Sequence, residues 1–144
     1  MNVELSRATP DDLDFVVGLD AMVPGTPRAD EWYRAQIAAG TCTIARIDGQ
    51  RVGYSIVHRG FFRRDFMSML VVRPEFRRRG VARALFADAE RRCDGDVFTS
   101  TNESNVRMQN VLERLGYERS GHIDNIDPGD RELIYYKRVQ LEDV

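Results

Sequence analysis

The chain has 144 residues, 42% hydrophobic and 31% charged. No apolar run approaches the roughly 18 residues of a membrane-crossing helix, while this length can bury about 68–70% of the unfolded surface around one core, so a single domain over residues 1–144 is expected, with no membrane partner. The formal net charge is -2, yet between positions 59 and 83 eight arginines (59, 63, 64, 73, 77, 78, 79 and 83) face only Asp65 and Glu75, which argues for one anionic partner held at one place rather than a polyanion tracked over the surface.

Cys42 and Cys93 fall in different expected elements, with no CxxC pair near His58 or His122; this argues against a disulfide scaffold and against a metal site, and reduced core thiols are expected. The N-terminus mixes Glu4 and Arg7 into an alternating pattern instead of a basic stretch followed by an apolar one. No secretory signal is read there, and a cytoplasmic location is expected.

Val3 to Ala8 reads as a strand, and Thr9, Pro10 and Asp12 open a helix to Leu19, with Thr as cap and Pro in the first turn. A Pro- and Gly-containing loop precedes a second helix, Ala29 to Ala39, stopped by Gly40. The period then changes to two: Thr41 to Ile47 and Arg51 to His58 are expected strands joined through Asp48-Gly49-Gln50. Phe66 to Val72 is nearly all apolar, the pattern of a strand covered on both faces. Arg79 to Arg92 carries Ala82, Leu85, Phe86 and Ala89 at helical spacing. After a strand at Asp96 to Thr101, the helix Ser104 to Leu115 shows Met108, Val111, Leu112 and Leu115 on one face and Gly116 as C-cap. Strands at Tyr117 to Ile123 and Glu132 to Val139 close the chain around a turn-rich stretch, Asn125 to Asp130. The order β-α-α-β-β-β-α-β-α-β-β predicts an α/β (α+β) mixed sheet with helices on both faces.

Leu70 to Arg83 is the segment that carries chemistry. A strand delivers the chain past Pro74 to a turn whose amides, about Arg78 to Arg83, form the first turn of a helix and lack intrahelical partners. With the positive end of the helix dipole and the neighbouring arginines, they make a site for a phosphate-bearing ligand, and the small Gly80 and Ala82 let an anion approach the backbone. A solvated basic helix start is the simpler alternative on these residues alone.

Arg77-Arg78-Arg79-Gly80-Val81-Ala82, between a strand ending Val72-Arg73-Pro74 and an amphipathic helix, resembles the acetyl-coenzyme A motif Q/R-x-x-G-x-G/A of the GCN5-related N-acetyltransferase (GNAT) superfamily. Asn105 at a helix start, followed by Leu115-Gly116-Tyr117, is similar to a second motif of that family, and the element order matches over nearly the whole chain. The resemblance implies the GNAT fold: a mostly antiparallel seven-stranded sheet with a central splayed parallel pair. It implies acetyl-coenzyme A as cosubstrate and direct transfer of its acetyl group to a primary amine, of a small molecule or a peptide. Leu70, Val71 and Val72 would pair with the pantetheine arm, and the Leu70 backbone amide would stabilise the oxyanion. Arg77, Arg78, Arg79, Gly80, Val81, Ala82 and Arg83 would receive the diphosphate, with Arg73 raising the local potential, and Asn105 would bond the pantetheine.

Many family members carry a Tyr, as acid for the leaving thiolate, where this chain has Leu112. A thiol of pKa about 8.5 leaves without strict need of that donor. Candidates for proton handling are Glu103 and Tyr135, with Tyr136, Asp65 and Ser68 behind them; Glu103 also reads as helix N-terminal charge paired with Ser100 in a capping box, and Tyr135 and Tyr136 must point to opposite faces of their strand. His58 and His122 read as strand-end and surface residues. Asp124, Asp127 and Asp130 would favour a cationic acceptor or simply solvate a loop, and Trp32 and Tyr33 would wall the acceptor side or pack on the sheet. Phe61 and Phe62 read as a homodimer contact or as a buried turn. Two other classes stay open: a coenzyme A-binding regulator without catalysis, and a nucleic-acid binder suggested by Phe61-Phe62-Arg63-Arg64-Asp65-Phe66, which the acidic pI of 5.7 opposes.

Overall fold

The computed structural model describes residues 2–93 and 95–138. In chain order it contains strand β1 (Val3–Arg7), helices α1 (Leu13–Leu19) and α2 (Asp30–Ala38), and strands β2 (Cys42–Ile47), β3 (Gln50–Phe61) and β4 (Arg64–Val72). Helix α3 (Val81–Arg92), strand β5 (Val97–Asn102), helix α4 (Val106–Arg114) and strands β6 (Glu118–Asp127) and β7 (Asp130–Lys137) follow. They form one seven-stranded sheet in the order β1-β2-β3-β4-β5-β7-β6. Its β1·β2, β2·β3, β5·β7 and β6·β7 ladders are antiparallel and β4·β5 is parallel, as the expected fold class requires. Val139, the expected end of the last strand, lies outside the described residues. Among the described residues no helix is long and apolar enough to cross a membrane.

The chain divides into two compact units, one running to Val57 and resuming over Met69–Asp88, the other made of His58–Ser68 and the chain from Ala89 onward. In the first, side-chain alternation builds two cores. Ile44, Tyr54, Ile56, Met69 and Val71 pack with Val16 of α1 and Tyr33 and Ile37 of α2. Their strand neighbours Ala45, Leu70 and Val72, with Ile47 and Val52, pack with Val81 and Leu85 of α3. Successive strand residues point to opposite faces, so α1 and α2 cover one face of this unit's sheet and α3 the other.

The α1 to α2 connection is tied down by a buried network. Asp20, 3% exposed, accepts from Arg28 Nε (2.6 Å), the Arg28 amide (3.1 Å) and Tyr33 Oη (2.5 Å). Because the single Tyr33 proton goes to Asp20, the Tyr54 hydroxyl 2.9 Å away donates to Tyr33. Burial favours the neutral acid at Asp20, but the hydrogen bonds from Tyr33 and Arg28 outweigh it and hold the carboxyl below its ordinary pKa.

One close approach in this unit decides a residue. A Cβ on Gly53 of β3 would lie 2.7 Å from the Val71 carbonyl oxygen and 3.3 Å from Val72 Cα, and backbone cannot move aside as a side chain can. Gly53→Ala is expected to cost about 1–3 kcal/mol, as overpacking does, read as a lowered midpoint in urea; an unchanged midpoint contradicts the contact.

In the second unit β5 buries Val97, Thr99 and Thr101, and β7 buries Leu133 and Tyr135, while Phe98, Ser100 and Asn102 on the other face of β5 stay half-buried. That second face continues an aromatic row: Phe61 stacks on Phe66 (4.7 Å between centroids) and lies 5.5 Å from Phe98, which stacks on Tyr136 at 5.9 Å. Phe61 is thus a packing residue, whereas Phe62 is 82% exposed. Phe62 (φ 51°) and Arg63 (φ 62°) form a two-residue hairpin loop in the left-handed region, so β3 and β4 reach closer together than the expected strand ends at His58 and Phe66. Cys42 and Cys93 are buried and are not joined in a disulfide; burial, with the charge of Asp12, pushes the Cys42 thiol up to about 12.

Candidate functional site

The expected anion turn begins where β4 ends. Met67, Met69 and Val71 are buried but Phe66, Ser68, Leu70 and Val72 are only half-buried, which corrects the expectation of a strand covered on both faces: its apolar run hid an alternation in burial. The Arg73 amide donates to the Val52 carbonyl (2.8 Å), and Pro74–Phe76 make one turn of 3-10 helix, with Phe76 N bonded to Arg73 O (2.9 Å) and Arg77 N to Pro74 O (3.2 Å). Arg78 (φ 64°) and Gly80 (φ 81°) are then left-handed. That geometry delays α3 to Val81, two residues after the expected start at Arg79.

The bond from Ala84 N to Gly80 O (3.0 Å) opens the intrahelical ladder, so the amides of Val81, Ala82 and Arg83 precede it and have no turn behind them to bond. A Cβ on Gly80 would meet nothing within 4 Å. Glycine is therefore required here by backbone conformation rather than by crowding within the chain, and what a side chain would enter is open space in front of the helix. Arg78, Arg79 and Arg83 are exposed and Arg77 half-buried. The Phe76 ring carries two of the cations, Arg79 at 5.1 Å and Arg73 at 5.7 Å from its centroid, and Arg73 also pairs with Glu75 at 2.9 Å.

In the second unit, Asn105 stands at the start of α4, where its Oδ1 accepts from the Met108 amide at 3.1 Å. The helix begins at Val106, not Ser104, and Asn105 rather than Ser100 is its cap. Ser100 lies in β5 and donates to Glu132 Oε2 at 2.7 Å, so the expected capping box of Ser100 with Glu103 is not formed. Glu103 is exposed; its amide donates to the Arg131 carbonyl (2.8 Å) and its carbonyl accepts from Gln109 Nε2 (2.7 Å). Leu112, at the position where the family resemblance implies a tyrosine, is 1% exposed and belongs to the core.

The tyrosine pair separates as strand alternation demands. Tyr135 is 0% exposed, its hydroxyl is buried without a hydrogen-bond partner, and burial raises its pKa; Tyr136 is half-exposed on the aromatic row. A sealed hydroxyl cannot exchange a proton with a ligand, so of the two only Tyr136 is presented. Ser68 is half-buried with its hydroxyl unbonded, and Asp65 is half-buried on β4. Tyr33 is fully buried, against Trp32 at 5.0 Å, which makes it core rather than an acceptor wall. The Gly60 amide donates to His58 Nδ1 at 3.0 Å. That bond is lost if Nδ1 is protonated, and burial lowers the His58 pKa further. His122 is exposed near Asp124.

Glu132 is the residue that sequence reasoning passed over. Its register partner is Asn102 of β5, and the hairpin at its back brings two more carboxylates: Asp127 accepts from Asn102 Nδ2 (2.8 Å), and Asp130 from the Ser104 amide (3.0 Å) and hydroxyl (2.6 Å). Asp124 instead pairs with Arg131 at 3.2 Å. Burial raises the Glu132 pKa, the Ser100 bond opposes this, and the charges of Asp127 and Asp130 raise it again; the net direction is upward. A polar residue opening an expected strand gives no sign of this, because the effect arises from the pairing of β7 with β5.

Comparison with known proteins adds the following. Residues 16–117 match the family described as Acetyltransferase (GNAT) family. A GNAT-family acetyltransferase from Bacillus cereus is 34% identical over 97% of this chain and 99% of its own, with a TM-score of 0.88. The ribosomal-protein-S18-alanine N-acetyltransferase of Escherichia coli (15% identity, 99% of both chains, TM-score 0.80) and Arabidopsis thaliana Naa50 with a bisubstrate analogue, CoA-Ac-MVNAL (19%, 95% and 99%, TM-score 0.76), share the fold. A comparison with curated proteins returns no match.

Proposed function

The chain belongs to the acetyltransferase (GNAT) family, and from that premise we propose that it is an N-acetyltransferase carrying an acetyl group from acetyl-coenzyme A to a primary amine. The observation that carries the reading is the turn before α3. A left-handed glycine with open space ahead of it, helix amides without a preceding turn and exposed arginines together suit a diphosphate, which needs backbone donors and positive charge at close range. Val81, Ala82 and Arg83 would offer amides; Arg78, Arg79 and Arg83 would supply charge and Arg77 local potential. With Leu70 and Val72 on the half-buried side of β4, the backbone of Leu70, Val71 and Val72 would run beside the pantetheine, with the Leu70 amide directed to the thioester carbonyl, where negative charge grows as the amine attacks. In this reading residues 1–144 make up a single acetyltransferase domain.

Asn105 has two separable duties in this reading. Its Oδ1 caps α4, which leaves Nδ2 as the donor to a pantetheine carbonyl. Asn105→Asp keeps the acceptor and improves the helix N-terminal charge, so its melting temperature should hold while the acetyl-coenzyme A KM rises about tenfold, one hydrogen bond at 1.4 kcal/mol. Asn105→Ala should lose the cap as well, about 1 kcal/mol of stability. Equal KM values for Asp, Ala and the parent chain would remove Asn105 from the site.

With Leu112 in the core, no tyrosine is assigned to the departing sulfur, and coenzyme A leaves as thiolate. The amine's proton is assigned to Glu132 rather than to Glu103 or the sealed Tyr135, because a general base works best when its pKa is drawn toward the working pH. The half-exposed face with Ser100, Asn102, Asp127 and Glu132 also favours a cationic amine, a small molecule or a peptide N-terminus. The direct test is calorimetric titration with acetyl-coenzyme A, followed by thiol release with a panel of cationic and neutral amines. Saturable binding with turnover of a cationic amine is the expected result; binding without single-turnover transfer to any amine would make the chain a coenzyme A-binding regulator, and no binding at millimolar ligand would end the reading.

A further inference from the structure

The first unit holds an open pocket of about 410 Å³ lined by Phe15, Arg46, Gly49, Gln50, Arg51 and Arg73. Its three guanidinium groups are held in place before any ligand arrives. The Asp12 carboxylate, 2% exposed, accepts from Arg46 Nη2 (3.1 Å) and Arg51 Nε (2.8 Å) through one oxygen and from the Thr9 amide (2.8 Å) through the other. Arg46 is held a second time by Ser6 Oγ (2.9 Å), Arg51 by the Asp11 carbonyl (3.3 Å), and Arg73 by Glu75 (2.9 Å).

Each guanidinium has five N–H donors, and these bonds engage two groups of Arg46, two of Arg51 and one of Arg73. One buried carboxylate and the exposed Glu75 face three cations, so the pocket wall keeps a positive excess and N–H donors in a fixed fork. Rigid guanidinium forks match the oxygens of phosphate and carboxylate groups, and fixing them beforehand removes part of the ordering cost of binding.

We infer that this pocket is an anion site for a phosphate or carboxylate group, separate from the diphosphate turn. Two sources share that chemistry. Arg73 lies on the same Phe76 ring as Arg79 of the turn, which makes the 3′-phosphate of a bound coenzyme A one source; a free small anion is the other. Only the first rests on the acetyltransferase reading.

The test is calorimetric titration of the full chain with inorganic phosphate at constant ionic strength set by chloride, repeated on Gln50→Glu and Arg51→Met. Gln50 is exposed at a hairpin end, so Gln50→Glu puts a carboxylate in the pocket without disturbing the core and decides the matter if Arg51→Met folds poorly. Saturable binding that weakens at least tenfold in Gln50→Glu is the expected result; no saturable binding at tens of millimolar phosphate, or equal affinity in Gln50→Glu, overturns the site. Coenzyme A and dephospho-coenzyme A identify the source. A tenfold preference for the former that vanishes in Gln50→Glu assigns the site to the 3′-phosphate, and equal affinities assign it to a free anion. Phosphate binding without any coenzyme A binding would leave the pocket standing and remove the acetyltransferase reading.

Discussion

Gly80→Asp should raise the dissociation constant for acetyl-coenzyme A at least 100-fold, a loss of about 2.7 kcal/mol, while the protein stays folded. The two halves of this expectation have different origins. A Cβ at position 80 meets nothing within 4 Å of the chain, so the folded protein has room for the side chain, and the backbone at φ 81° charges a non-glycine residue about 1–2 kcal/mol, least for Asp and Asn. The ligand has no such room: the added carboxylate would stand before the Val81, Ala82 and Arg83 amides and take the place and charge of a phosphate. Gly80→Asn separates the terms, being equal in size and backbone preference but neutral. Affinity falling in the order Gly, Asn, Asp, with both variants melting within a few degrees of the parent, is the expected pattern. Binding unchanged in Gly80→Asp would move the diphosphate elsewhere.

How far such a site could be read in advance depends on the range over which its cause acts. Helix α4 was legible because Met108, Val111, Leu112 and Leu115 repeat at helical spacing and Gly116 stops them, all within one element. The turn ahead of the helix, with its cluster of arginines at Arg77 to Arg83, was legible for the same local reason, although its left-handed Arg78 was not: arginine carries no preference for that conformation, and the helix consequently starts later than the periodicity indicates. The Phe62-Arg63 hairpin shows the same failure in stronger form, since two residues that seldom adopt positive φ turn there because the flanking strands meet. Gly53 was unreadable because its reason is the Val71 carbonyl, eighteen positions away. Burial misled at β4, where seven neighbouring residues are nearly all apolar yet alternate between buried and half-buried. Tyr135 and Tyr136 were separable in principle by alternation, but which of them faces inward depends on the register of β7 against β5.

Glu132→Gln should lower kcat by about 10² to 10⁴, the range for loss of a general base, with little change in the acetyl-coenzyme A KM, since the coenzyme is held by other residues. The pH profile carries the diagnosis. Burial and the charges of Asp127 and Asp130, set against the Ser100 bond, raise the Glu132 pKa above the ordinary glutamate value, and a base works only when deprotonated. The acid limb of kcat/KM should therefore lie above the ordinary glutamate range, with activity lost as pH falls through it, and Glu132→Gln should abolish that limb. Asp127→Asn removes one of the charges that raise the pKa, so it should move the limb to lower pH while leaving the carboxylate of Glu132 in place. A residue that only braced the β5·β7 ladder would give neither response: the Gln variant would lose stability, its KM and kcat would move together, and the limb would stay where it was. That outcome would return proton removal to Glu103, whose carboxylate is exposed, or to solvent.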